Sequence, residues 1–140
     1  MLSRDAIAAL IPHKGVMCLL DEVVGYDENS IACVALNHTD TAHPLREEGI
    51  LPAVCGIEYA AQAMAVHGAL MGGEGASPGV LAAVRDVAMQ VDRLDNISAQ
   101  LTIVAHKLWG DETRLLYEFK ITAEDREIMR GRAAVVLTKP

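Results

Sequence analysis

The hydrophobic pattern of the chain is dominated by one segment near its middle, "PAVCGIEYAAQAMAVHGALM" at positions 52–71. Almost every residue in it is apolar or small, which predicts a buried helix of roughly five turns from Pro52 to Leu70. Pro52 suits the first turn, where an amide hydrogen would have no partner. Because the segment is apolar on almost all sides, we expect the helix to be enclosed by the rest of the protein.

Strand patterns flank this helix. A short N-terminal helix in "RDAIAAL", capped by Ser3, is followed by two predicted strands in "VMCLLDEVVGYD" and "SIACVALN". Four more strands are expected after the long helix, in "GVLAAVRDVAMQV", "SAQLTIVAHKLW", "TRLLYEFKIT" and "REIMRGRAAVVLT", and the last three read as an antiparallel meander. This order predicts a single α+β domain over residues 1–140, with a curved antiparallel sheet of about six strands wrapped around the helix. That arrangement is the hotdog fold.

Composition and charge disfavour several classes of function. A net charge of −7 disfavours binding to nucleic acid or to an anionic membrane surface. The apolar segment approaches membrane-spanning length, but Glu58 and Gln62 interrupt it, and the N-terminus does not resemble a signal peptide. The three cysteines form no CxxC pair and have no metal-ligand spacing to the five histidines. We therefore expect a cytoplasmic protein without a membrane span, with reduced core cysteines and no metal.

The two polar residues of the apolar helix are the candidate chemistry. Burying an ionised carboxylate without a partner costs several kcal/mol, so Glu58 indicates a proton-transfer site, a structural hydrogen bond or a polar contact at a dimer interface. Gln62 lies four residues later, on the same face of the helix. Its amide can orient the carboxylate or bond to loop backbone. The helix start at Pro52, Ala53 and Val54 offers its free N–H groups and the positive end of the helix dipole to a substrate carbonyl.

Two stretches, "IPHKGVMCLLDEVV" and "LPAVCGIEYAAQA", resemble the β-hydroxyacyl-acyl carrier protein dehydratases of the FabZ-like hotdog group. The first is similar to the Pro-His segment of that family, and the second to its Pro-Gly start of the central helix with Glu-x-x-Ala-Gln. Ala53 stands where the family has glycine. The sequence is most similar to a divergent branch of predicted dehydratases, some of which are associated with aryl-polyene lipid synthesis.

This resemblance implies that Glu58 is catalytic, together with a histidine contributed by the other subunit of a dimer. The family histidine lies fourteen positions before the glutamate, whereas His43 lies fifteen positions before Glu58 and lacks the neighbouring glycine and phenylalanine. His43 is the first candidate for the base, and His13 is the alternative. Pro52, Ala53, Val54 and Gln62 are candidate substrate-binding residues. His67 is expected to be a packed or interface residue.

The function that the resemblance implies is dehydration of 3-hydroxyacyl thioesters to trans-2-enoyl thioesters, in fatty-acid or polyene-type lipid synthesis. The substrate is expected on acyl carrier protein or coenzyme A, and the phosphopantetheine arm arrives with it, so no cofactor is expected. A homodimer paired by sheet edges is expected, or a higher oligomer or a pair with another hotdog protein. Two alternatives remain open: a hotdog acyl thioesterase, and a non-catalytic partner subunit of a dehydratase.

Overall fold

The computed structural model describes residues 2–11, 15–72 and 79–137, in which one antiparallel sheet packs against one long helix. The elements are β1 (Leu2–Ser3), α1 (Arg4–Leu10), β2 (Glu22–Tyr26), β3 (Ser30–Ala35), α2 (Gly56–Gly72), β4 (Gly79–Met89), β5 (Leu101–Gly110), β6 (Arg114–Ala123) and β7 (Arg126–Leu137). Three-residue 3₁₀ turns occupy Gly15–Met17, Asn37–Thr39 and Ala53–Cys55.

The strands form one sheet in the order β1-β2-β3-β5-β6-β7-β4, with every neighbouring pair antiparallel. This confirms the α+β architecture and the meander of β5, β6 and β7. The expected number of strands, about six, was wrong: the described residues hold seven. The additional strand is β1, whose two residues pair with Val23 and Glu22 of β2. A strand of two residues is too short to produce an alternating pattern in the sequence.

Helix α2 begins later than predicted, because a 3₁₀ turn at Ala53–Cys55 separates Pro52 from the first α-helical residue, Gly56. The helix packs on β3, β5 and β6. The expectation that it is enclosed on almost all sides was wrong for the single chain. One stripe is buried, and the residues that remain partly exposed include Ile57, Ala61, Ala65, Gly68, Ala69 and Leu70. None of the helices in the described ranges has the length and apolar content that crossing a membrane requires.

The region before β2 differs from its predicted strand. The N-terminal helix is confirmed, and the Ser3 hydroxyl accepts a hydrogen bond from the Ala6 amide at 3.4 Å. However, β2 starts only at Glu22, and Cys18, Leu19 and Leu20 are buried without being part of a strand. The Leu19 amide is bonded by a side chain of α2 rather than by a strand. Their apolar character therefore reflects packing under the helix.

Strand β4 forms one edge of the sheet and is exposed along nearly its whole length. Val80 and Met89, near its two ends, are 55% and 47% exposed. A bulge between Arg85 and Ala88 places Asp86 at a φ of 54°, in the left-handed region. A long open edge with apolar side chains is a site at which a second sheet can pair.

Gly131 allows a close approach between β7 and the core. A Cβ atom at this position would lie 2.8 Å from Phe119 Cζ and 3.0 Å from Val87 Cγ2. We expect Gly131→Ala to lower the free energy of unfolding by about 1–3 kcal/mol, measured by urea titration, because an aromatic ring must move. Gly25→Ala is the matched control, since a Cβ there would meet no atom within 4 Å. Equal stabilities of the two variants would contradict this packing.

Candidate functional site

Gln62 connects α2 to the buried segment before β2. Its side chain is fully buried, and Oε1 accepts a hydrogen bond from the Leu19 amide at 2.8 Å. Its Nε2 donates to the carbonyl oxygen of Met17 at 2.8 Å and to Oε1 of Glu58 at 3.4 Å. Gln62 therefore makes both of the contacts that its sequence position suggested, to the carboxylate and to loop backbone. Glu58 is half-buried, with its carboxylate oriented by an amide that is itself fixed.

The start of α2 is held by residues 92–95, which we call the strap. The amide of Ala53 donates to Asp92 O at 2.9 Å, and the amide of Leu94 donates to Leu51 O at 2.8 Å. Pro52 forms an isolated β-bridge with Arg93. The strap thus fixes the first turn of the helix and occupies one amide, that of Ala53, that was expected to face a substrate.

Asp95 anchors the strap. Its Oδ1 accepts from the Leu51 amide at 2.9 Å, and its carboxylate is paired with the guanidinium of Arg93. The hydrogen bonds from Arg93 hold the pKa of Asp95 well below its usual range, and the bond from the Leu51 amide adds to this. The carboxylate therefore remains ionised, and the strap stays attached, over the whole neutral range of pH.

Val54 is the exposed residue of the helix start. Its side chain is 52% exposed, and its amide has no hydrogen-bond acceptor among the described residues. Of the three positions predicted to bind substrate here, Pro52 carries no amide hydrogen and Ala53 is already bonded. Only Val54 therefore offers a free donor at the positive end of the helix dipole.

His43 is buried in a short chain of hydrogen bonds. Its Nδ1 accepts from the Leu45 amide at 3.1 Å, and its Nε2 lies 2.9 Å from the hydroxyl oxygen of Tyr59. The Tyr59 hydroxyl donates to Oδ1 of Asn37 at 2.8 Å. We call Leu45, His43, Tyr59 and Asn37 the His43 chain. Sequence reasoning did not find Tyr59 or Asn37, although a tyrosine next to Glu58 in an alanine-rich helix was a visible signal.

The directions of the hydrogen bonds in the His43 chain determine which nitrogen of the imidazole carries the hydrogen. An amide N–H points at Nδ1, so this nitrogen carries the lone pair and Nε2 carries the hydrogen. The Nε2–H group donates to Tyr59, which uses its own hydrogen on Asn37. Burial lowers the pKa of His43, and the nearby charge of Arg46 lowers it further. In this arrangement His43 is neutral and neither ring nitrogen is free to accept a proton.

His38 and His67 are also buried and neutral. His67 Nε2 lies 2.9 Å from Asp27 O and Nδ1 lies 2.7 Å from the Tyr117 hydroxyl, so it is the packed histidine that was expected. His38 Nε2 lies 2.8 Å from Ile97 O, and its buried Nδ1 has no partner among the described residues. Burial lowers the pKa of both rings. His13, the alternative base, lies outside the described residues.

The single chain does not join the two predicted catalytic groups. Both nitrogens of His43 are used by Leu45 and Tyr59, so its hydrogen bonds do not include Glu58. Neither His43 nor Glu58 lines the groove of about 610 Å³ that lies between the strap and the β6–β7 turn. Within the described ranges, no cluster of three or more His, Cys, Asp or Glu side chains is suited to hold a metal ion.

Comparison with known proteins identifies the family. The family model described as "ApeP-like: ApeP dehydratase" matches residues 5–139, nearly the whole chain. The chain belongs to the ApeP-like dehydratase family. None of the curated protein sequences matches this ApeP-like chain.

Solved structures agree with this ApeP-like assignment. The dehydratase heterocomplex ApeI:P from Xenorhabdus doucetiae matches with a TM-score of 0.84 and 26% identity, over 99% of this chain and 93% of that one. Thioesterase HI1161 from Haemophilus influenzae matches with a TM-score of 0.72 and 14% identity, over 99% and 92% of the two chains. The E. coli PaaI protein matches with a TM-score of 0.63 and 15% identity, over 84% and 78%. The last two show the shared hotdog fold alone.

Proposed function

We propose that this ApeP-like protein dehydrates a 3-hydroxyacyl thioester, carried on acyl carrier protein, to the trans-2-enoyl thioester. The observation that carries the proposal is Glu58, a half-buried carboxylate near the start of α2, held by the amide of a fully buried Gln62. A carboxyl group that is fixed and partly removed from water suits proton donation to a leaving hydroxyl group. Membership of a dehydratase family supports the same reaction class.

In the proposed reaction, a base removes the α-proton and Glu58 gives a proton to the β-hydroxyl. The electrons of the C–H bond form the new double bond, the C–O bond breaks, and water leaves. The base ends protonated and Glu58 ends ionised, and proton exchange with solvent restores both. Acid–base chemistry is sufficient for these steps, and the phosphopantetheine arm comes with the substrate. The amide of Val54 is placed to bond the thioester carbonyl as negative charge builds on it.

A partner chain is part of this mechanism, because His43 of the same chain already bonds to Leu45 and Tyr59. The exposed edge of β4 supports pairing of two sheets, which would form a homodimer in the cytoplasm. In this form, His43 of one subunit removes the α-proton of the substrate, and Glu58 of the other subunit protonates the leaving hydroxyl group. Its ring must first leave Tyr59 and Leu45, since both nitrogens are occupied in the His43 chain.

The His43 chain favours a second candidate, in which this protein is one half of a hetero-pair. The X. doucetiae relative is a heterocomplex, so pairing of unlike chains occurs among similar proteins. In that case His43 fixes the loop, Glu58 remains the acid, and a second hotdog protein supplies the base. A thioesterase is a third candidate, supported by relatives that share the fold only.

One assay separates these candidates. The purified protein is incubated with a 3-hydroxyacyl thioester on acyl carrier protein, and enoyl product and free thiol are measured together. We expect enoyl product without release of free thiol. Free thiol without enoyl product identifies a thioesterase, and turnover only after a second hotdog protein is added identifies the hetero-pair.

The variants His43→Gln and His13→Gln, assayed side by side, identify which histidine acts as the base. If His43 is the base, His43→Gln lowers kcat by about 10²–10⁴-fold and His13→Gln leaves it unchanged. Loss of activity in His13→Gln alone assigns the base to His13. If neither variant loses turnover, neither His43 nor His13 is the base.

A further inference from the structure

The face of the sheet that points away from α2 is exposed and can be identified from the alternation of its strands. In β6, Tyr117, Phe119 and Ile121 are buried, whereas Glu118 and Lys120 between them are exposed. Side chains of successive residues in a strand point to opposite faces. The exposed set therefore forms an outer face that the helix does not cover.

The strand register places basic side chains of this outer face opposite one another. Arg85 of β4 pairs with Arg132 of β7, and Lys120 of β6 pairs with Arg130 of β7. Like charges directly opposite in a sheet are destabilising. We call this set, together with Arg114 at the start of β6, the basic outer face. It consists of Arg85, Arg114, Lys120, Arg130 and Arg132, all exposed.

Carboxylates compensate this charge only in part. Glu127 lies 3.7 Å from Nε of Arg130, and Glu118 stands opposite Arg132 in the register. Within the described ranges, none of the other four cations of the basic outer face forms an ion pair with a carboxylate. The whole chain nevertheless has a net charge of −7. Positive charge is thus concentrated on one face of an acidic protein.

A groove on this face offers a place where side chains of another protein can bind. It has a volume of about 350 Å³ and is lined by Arg85, Arg114, Arg132 and Trp109, by one carboxylate, Asp86, and by small and apolar side chains. The indole of Trp109 is 53% exposed. Tryptophan and arginine are enriched among the residues that contribute most to binding at protein interfaces. The groove is therefore suited to receive side chains of another protein.

We propose that the basic outer face is a docking surface for an acidic protein, and that this protein is the acyl carrier that delivers the substrate. Charge complementarity selects an acidic partner, and an overall charge of −7 disfavours nucleic acid. Four of the five cations lie on β6 and β7, inside the sheet, so pairing at the β4 edge leaves them accessible. The identity of the partner rests on the proposed function.

The test compares carrier-bound and carrier-free substrates in the variant Lys120→Glu. The same 3-hydroxyacyl chain is offered on holo acyl carrier protein and on N-acetylcysteamine. We expect KM for the carrier-bound substrate to rise about tenfold, and this KM to become less sensitive to salt. Turnover of the small thioester is expected to be unchanged. Tm should rise, because an opposite-charge pair with Arg130 replaces a like-charge pair.

Arg126→Glu is the matched control, since it makes the same change of charge on β7 outside the basic outer face. An unchanged carrier KM in Lys120→Glu, or an equal rise in Arg126→Glu, overturns the docking surface. If the wild type converts neither substrate, alone or with a second hotdog protein, the dehydration proposal fails, and docking is then judged by fluorescence anisotropy of labelled acyl carrier protein. Binding that Lys120→Glu weakens supports the surface. Absence of binding, or preferred binding of a duplex DNA probe, overturns it.

Discussion

Glu58→Gln is expected to lower kcat for dehydration by about a thousandfold while leaving the fold unchanged. The substituted amide keeps an oxygen that can accept the hydrogen bond from Gln62 Nε2, so the contact at 3.4 Å is retained. It cannot donate a proton to the departing hydroxyl group. Single-turnover measurements of enoyl product test the chemical step, and the Tm of the variant tests the fold.

Glu47→Gln is the control for this experiment, because Glu47 is exposed in the loop before the helix and the change of charge is the same. It should retain wild-type turnover. If Glu58→Gln also retains wild-type turnover with an intact fold, Glu58 has no part in the chemistry, and the proposed reaction loses its acid.

The second large effect is a loss of stability in mild acid. Burial lowers the pKa of His38, His43 and His67 below the ordinary value of 6.5, so the unfolded chain binds protons that the folded protein does not. Stability is therefore complete above about pH 6.5 and falls as the pH decreases toward the lowered folded-state values. Each histidine contributes a slope of up to about 1.4 kcal/mol per pH unit. Urea titrations between pH 7.5 and pH 5 measure the summed effect of the three histidines on the free energy of unfolding.

His67→Gln should reduce this slope by the share of one histidine, while its amide can still donate to Asp27 O. The carboxylates with lowered pKa values, Asp27, Asp95 and Asp111, lose their contribution only below their ordinary value of 3.8. A stability that stays constant from pH 7.5 to pH 5 would contradict neutral buried histidines.

The elements that were predictable are those whose pattern is local. The N-terminal helix carries its own cap in Ser3, and the strands of the meander alternate between buried and exposed side chains. The segment 18–20 misled the prediction because its burial depends on α2, which lies far away in sequence. The exposure of β4 along nearly its whole length was not predictable either, since an exposed apolar edge strand has the same sequence pattern as a buried strand.

The candidate site likewise has one local contact that was predictable and one long-range arrangement that was not. The link between Glu58 and Gln62 follows from their spacing of four residues on one helix. The His43 chain joins a loop residue to a tyrosine sixteen positions away, and its tautomer depends on the Leu45 amide. Only the folded chain shows that both nitrogens of this imidazole are already hydrogen-bonded.

The strap has a consequence for assembly. Strand β4 ends at Met89, and by Asp92 the chain is already bonded to the first turn of α2. In the proposed dimer, a second sheet paired with β4 acts on the same short segment that holds the start of α2 beside Glu58. We therefore expect assembly and activity to be linked, so that specific activity falls on dilution as the subunits separate.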